Sequence, residues 1–174
     1  MFRLKLSFVI GFLFYASSLF SVTGNITINA DEFELDGEKK QIKATGRVVV
    51  NQKNITLKSQ FAYYTQNHQI IELFEDVTLT KGQLNLKCDK AIAFGDEGRI
   101  HAIGHVEFKY KLISGIADEA RYNLEEKKVI LLGNPEVTHD GDYVIGSVII
   151  VDLNDQRVIT KGNAEVKITT DKFK

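Results

Sequence analysis

From residue 26 onward, apolar and polar positions alternate in short runs such as "ITINA" (26–30), "ITLKS" (55–59) and "LNLKC" (84–88). Between them lie polar clusters: "LDGEKK", "YTQNHQ", "FGDEG", "NLEEKK" and "LNDQR". Period-two alternation rich in β-branched residues predicts strands, the clusters predict turns, and no helical period persists beyond residue 25. The pattern repeats along the chain. Gly46, Glu75, Gly104, Gly133 and Gly162 are spaced by 29 residues, as are Ile42, Ile71, Ile100, Val129 and Val158. A third series of small residues, Ala30, Ser59, Cys88, Ala117 and Ser147, keeps that interval until a last step of 30.

A period of this length means stacked units, each burying its apolar face only against its neighbours. The expected fold is all-β: an elongated antiparallel β-jelly roll of about five stacked 29-residue units spanning residues 25–174. With each unit folded over as one layer of two facing runs, the stack is on the order of 24 Å long. The recurring glycine permits a bulge or bend where side chains collide between layers. Glu75 breaks that series, so the second unit is expected to bend differently or to project Glu75 outward. The only proline, Pro135, falls at a unit boundary, as uninterrupted ladders require.

Composition adds constraints. The 174 residues are 44% hydrophobic, 26% charged and formally −1, without the clustered Lys and Arg that nucleic-acid partners demand. Residues 1–24 read as a signal peptide, two basic residues before an apolar run, cleaved after Ser18, Ser21 or Gly24; the alternative is a short uncleaved anchor. Loss of Arg3 and Lys5 leaves 20 positive and 23 negative side chains, about −3. Either way the domain is exported. Cys88 is the only cysteine and reads by position as a small core residue.

The interior has two possible states: closed as a dry core, or splayed around a ligand. Ile28, Val48, Val50, Leu57, Leu73, Leu79, Leu86, Val106, Phe108 and Leu131 alternate inward, while Phe33, Phe61, Phe94 and Tyr122 flank the small-residue positions and suit a rim. The terminal strands, around Ile26 and Ile28 and around Val166 and Ile168, carry no proline to blunt them and suit strand addition.

"ADEARYNLEEKKVILLGNPEV" (117–137) and "GSVIIVDLNDQRVITKGNAEV" (146–166), with the earlier "ADEFELDGEKKQIKATGRVVV" (30–50), resemble the periplasmic lipopolysaccharide-transport protein family called LptA or OstA. The resemblance covers roughly residues 25–168. It implies a periplasmic, non-enzymatic β-jelly roll without cofactors, whose splayed interior holds the acyl chains of lipopolysaccharide. On that reading Ile28, Phe33, Val48, Val50, Leu57, Phe61, Leu73, Leu79, Leu86, Val106, Phe108 and Leu131 contact lipid. It further implies edge-strand pairing with inner-membrane LptC-type and outer-membrane LptD-type proteins, or a head-to-tail homo-oligomer, forming a bridge that supports outer-membrane biogenesis. The alternatives are a membrane-anchored LptC-like subunit of the same fold and a stacked structural polymer that carries no lipid.

An enzyme is the other class to weigh. Glu75 with Asp76, Asp96 with Glu97, and "HDGD" (139–142) are acidic groups of the kind a polysaccharide-cleaving site uses, but they read as solvated turn acids, and Asp140-Gly141 is a hairpin dipeptide. His101 and His105 share a strand face about 13 Å apart, too far to hold one metal ion. No Gly-x-x-x-x-Gly-Lys-Ser/Thr loop is present to hold a nucleotide.

Overall fold

The computed structural model describes residues 26–95 and 97–169. The signal-peptide reading of residues 1–24 and the acid Asp96 lie outside the described residues. Fourteen strands form one antiparallel sheet: β1 Ile26–Asn29, β2 Glu32–Asp36, β3 Gln41–Gln52, β4 Ile55–Thr65, β5 Ile70–Lys81, β6 Leu84–Phe94, β7 Arg99–Tyr110, β8 Ile113–Asn123, β9 Lys128–Leu132, β10 Glu136–His139, β11 Asp142–Ile145, β12 Val148–Asp152, β13 Arg157–Lys161 and β14 Glu165–Lys167. The all-β antiparallel expectation holds. Among the described residues no helix is long and apolar enough to cross a membrane.

The 29-residue unit is a pair of long antiparallel strands rather than a single layer. The six long strands β3 to β8 each run through two half-sheets, and the short strands divide between them. One half-sheet follows the order β1-β3-β4-β5-β6-β7-β8-β10-β11-β14. The other pairs β2 with the opposite end of β3, continues through the remaining halves of β4 to β8, and ends β9-β12-β13. Ten strands side by side extend about 43 Å at ~4.8 Å spacing, nearly twice the length expected from five layers. The reason is local: each polar cluster closes a hairpin, so a unit contributes two neighbouring strands to each half-sheet.

The change of half-sheet happens at bulges. Gly46-Arg47 faces Gln60, Glu75-Asp76 faces Asp89, and Gly104-His105 faces Asp118, two residues against one. Both members of each pair have positive φ: 76° and 44° at Gly46-Arg47, 64° and 52° at Glu75-Asp76, 80° and 43° at Gly104-His105. Glu75 therefore makes the same bend as the glycines, and it projects into solvent. Its neighbour across the preceding strand differs. At the other bends that place is held by Asp31, Asp89, Asp118 or Ser147, whereas here it is Gln60, and the acid sits in the bulge as Asp76.

The register also corrects the third series. The N–H groups of Asp31, Asp118 and Ser147 donate to the carbonyls of Gly46 (3.0 Å), Gly133 (2.9 Å) and Gly162 (2.7 Å). Ser147 is thus the counterpart of the aspartates, and the small residue of the last unit is Gly146, which keeps the interval of 29. A side chain at Gly146 would run into the Thr160 hydroxyl.

The half-sheets fold over one another about these bends and share one core that includes Val48, Leu57, Leu79, Leu86 and Val106 of one and Leu73, Ala102, Leu131 and Ile149 of the other. Opposite the bends, the hairpin tips of the two half-sheets form two lips. In one lip successive turns are hydrogen-bonded: Gln66 N–H to Lys40 (3.1 Å), Gly95 to Gln69 (3.0 Å), Leu124 to Gly98 (2.9 Å) and Leu153 to Lys127 (2.9 Å). In the other lip Asp140 N–H donates to the Leu112 carbonyl at 3.2 Å. Tyr110 reaches across, its hydroxyl donating to the Leu153 carbonyl at 3.0 Å.

Candidate functional site

The apolar interior and its two ends are the features with chemical reach. Strand alternation aims one side chain in two at the space between the half-sheets. Of the residues expected to touch lipid, Val48, Val50, Leu57, Leu73, Leu79, Leu86, Val106, Phe108 and Leu131 are buried in the shared core, and Ile28 packs partly against it. In the conformation described, side chains occupy that space.

Phe61 departs from the expected position. Leu57 and Ser59 are buried, but the next buried residue is Ala62, because β4 changes phase as it passes from one half-sheet to the other. Phe61 is the first residue after that change and lies on the outer face. There it meets Tyr63 and Phe74 edge-to-face at 5.0 and 6.2 Å between ring centres, with Lys43 5.5 Å above it. Tyr122 is buried rather than at a rim, and Phe94 lines the gap between the lips.

Phe33 is 47% exposed and its neighbour Leu35 74%, although both pair with β3 residues whose side chains face the core. With Ile26, Ile28, Ile42 and Tyr64 they surround an opening of about 590 Å³ at the β1–β2 end. At the opposite end Val166 is 53% and Ile168 68% exposed, next to β11, and Val166 pairs with the core residue Val144. Four of the large exposed apolar side chains thus sit on the terminal strands or, for Ile168, just beyond one. The core is uncovered at both ends, and the outermost strands leave backbone groups without a ladder partner.

Between the lips lies a cavity of about 360 Å³. Its floor is apolar, with Val50, Leu57, Ile71 and Ile100, and its mouth carries Lys53, Lys81, Arg99, Glu97 and Glu125. Arg99 is ion-paired with Glu97. Lys81 lies 5.3 Å over the Tyr122 ring, and partial burial lowers its pKa from the ordinary 10.5. The alternation pattern did not single out these lysines. The signal for Lys53 was the tip spacing, Lys53, Gly82 and Lys111 at intervals of 29, each with positive φ, and Lys81 ends β5 just before Gly82.

The remaining candidates do not assemble. Among the described residues no three His, Cys, Asp or Glu side chains gather into a metal-binding group. His101 contacts Glu119 at 3.1 Å, whereas His105 contacts Asp89 at 2.7 Å on the bend. The Cys88 thiol is buried and pushed up to about 11, chiefly by desolvation.

The lipopolysaccharide export system protein LptA of Haemophilus influenzae is 25% identical over 170 residues, covering 95% of this chain and 89% of that protein. Among solved structures, LptH, described as the LptA-homologous periplasmic component of the lipopolysaccharide transport device of Pseudomonas aeruginosa, aligns at 15% identity over 83% of this chain and 95% of its own, with a TM-score of 0.36. Residues 27–72 and 59–157 match the family described as "LptA/(LptD N-terminal domain) LPS transport protein". That match takes in well over half of the 174 residues, and the chain belongs to this lipopolysaccharide-transport family.

Proposed function

We propose that the chain is a periplasmic lipopolysaccharide carrier that takes acyl chains between its half-sheets and joins neighbouring proteins at its two ends. The observation that carries this reading is the apolar core left uncovered at both terminal strands, at Phe33 and Leu35 on one side and Val166 and Ile168 on the other. A second copy, or an LptC-type or LptD-type partner of the same fold, would continue the strand ladder and cover these side chains. Ile26, Ile28, Val166 and Ile168 are the joining positions.

Acyl chains favour such an interior at about 0.8 kcal/mol per methylene removed from water. Exchange of side-chain contacts for lipid contacts, and of one groove for the next, is nearly isoenergetic. The carrier is therefore a passive conduit, and direction comes from a separate ATPase. ATP hydrolysis by the purified protein would overturn that point.

The filled interior favours a second reading, a stacked polymer without cargo. Photo-crosslinking separates the two. A crosslinking residue at Leu86 or Val106, both buried, is expected to capture lipopolysaccharide in exported protein, and one at Lys87 or Glu107, which are exposed, is not. Absence of adducts at all four positions in folded protein would favour the polymer.

A further inference from the structure

We infer that the cavity between the lips is a headgroup-reading site for an anionic amphiphile: one chain enters over Val50, Leu57 and Ile71, and Lys53 and Lys81 grip the phosphate or carboxylate at the mouth. This deepens the carrier reading and rests on it. The volume, about 360 Å³, falls within the roughly 300–1,000 Å³ range of small-ligand pockets. The floor is hydrocarbon, and it continues into the shared core.

The mouth supplies the charge argument. Several lysines and arginines elsewhere on the surface are matched with carboxylates, as Lys43 with Glu34 and Lys90 with Glu72, but among the described residues neither Lys53 nor Lys81 takes part in an ion pair. Lys81 is half-buried, held against Tyr122, with desolvation working against its charge. An unpaired cation in that setting gains more from an incoming anion than a solvated surface lysine does. Among the described lining residues Arg99 is neutralised by Glu97 and Glu125 is the one further acid, set against the two lysines. Lys111 extends the same lip one unit further, where its ammonium lies 5.2 Å from the Tyr110 ring. A neutral headgroup would leave these cations as they are, whereas an anionic one pairs them.

The test uses the full chain and two single-chain probes of equal tail length, dodecyl phosphate and dodecyl maltoside, each below its critical micelle concentration. Binding is followed by methyl shifts of Leu57 and Ile71 and by calorimetry. Dodecyl phosphate is expected to bind several-fold more tightly. The double variant Lys53→Gln/Lys81→Gln is expected to weaken it by roughly tenfold while leaving dodecyl maltoside unchanged, two partly screened pairs being lost. Circular dichroism checks that the variant is folded. Equal affinities that ignore the lysines would overturn the headgroup site and leave the carrier reading standing. No shift with either probe would remove both. Displacement of dodecyl phosphate by equimolar inorganic phosphate would also overturn the inference, because the lip would then read a free anion and not an amphiphile.

Discussion

Replacing Gly104 by alanine and Glu75 by glycine perturbs equivalent bends in opposite directions. Gly104 has φ of 80°, and an added Cβ would run into the Asp89 carboxylate. A left-handed backbone costs an L-residue about 1–2 kcal/mol, and moving Asp89 disturbs its contact with His105 as well. Gly104→Ala is therefore expected to destabilise the fold by about 1–2 kcal/mol. Glu75 already bears that conformational strain at φ of 64°. Glu75→Gly releases about 1–2 kcal/mol. The added chain entropy of glycine takes back roughly 0.5–1 kcal/mol, so the change should be neutral to mildly stabilising. Urea unfolding followed by circular dichroism suits a chain with no tryptophan. With a slope of about 1–3 kcal/mol per molar, the alanine variant should unfold at a midpoint lower by roughly 0.5–1 M. An unchanged midpoint for Gly104→Ala, or an equal loss in both variants, would refute the claim that the bends impose a left-handed backbone.

Three further outcomes are expected. Leu73→Ala, at a fully buried position, should cost about 2–5 kcal/mol in the same unfolding assay, and a loss under 1 kcal/mol would mean that the half-sheets are not packed as described. The Cys88 thiol, buried and raised to about 11, should resist a thiol reagent at pH 8 until urea unfolds the chain; stoichiometric labelling of native protein would contradict its burial. The His105 imidazole is raised above its ordinary 6.5 by its hydrogen bond to Asp89, then by the charges of Asp89 and Asp118. Its stabilising contribution is fully present below about pH 6.5 and fades as pH rises through the raised folded value. An NMR titration placing His105 at or below 6.5 would show that the pair does not persist in solution.

Much of the fold was legible because the repeat writes the same physics several times. Alternation marked the strands, polar clusters marked the hairpins, and the 29-residue glycine series marked the bends. The terminal strands were recognisable as open edges from the lack of a proline. The passage of each long strand through two half-sheets could not be read, since a bulge adds one residue without changing composition. That is why Phe61, inward by simple alternation from Leu57 and Ser59, lies outward, and why the roll is longer than five layers. The slip from Gly146 to Ser147 has a related cause: serine is small enough to mimic the core position while acting as the counterpart of Asp31 and Asp118. The lip lysines were hidden for a different reason, because lysines in or beside turns usually mean only solubility. Their setting above an apolar floor exists only after the half-sheets fold over.

The hydrogen-bonded lip and the bends both recur with the period of the sequence, so the length of the molecule is countable. Joining Phe74 to Gly104 by deleting residues 75–103 would remove one hairpin, restore a glycine bend at the junction and shorten the body by about 10 Å. Both end faces would remain those of the parent. Duplication of the same segment would lengthen it by the same step. Reach in this architecture is a whole number of hairpins, set independently of what the ends recognise.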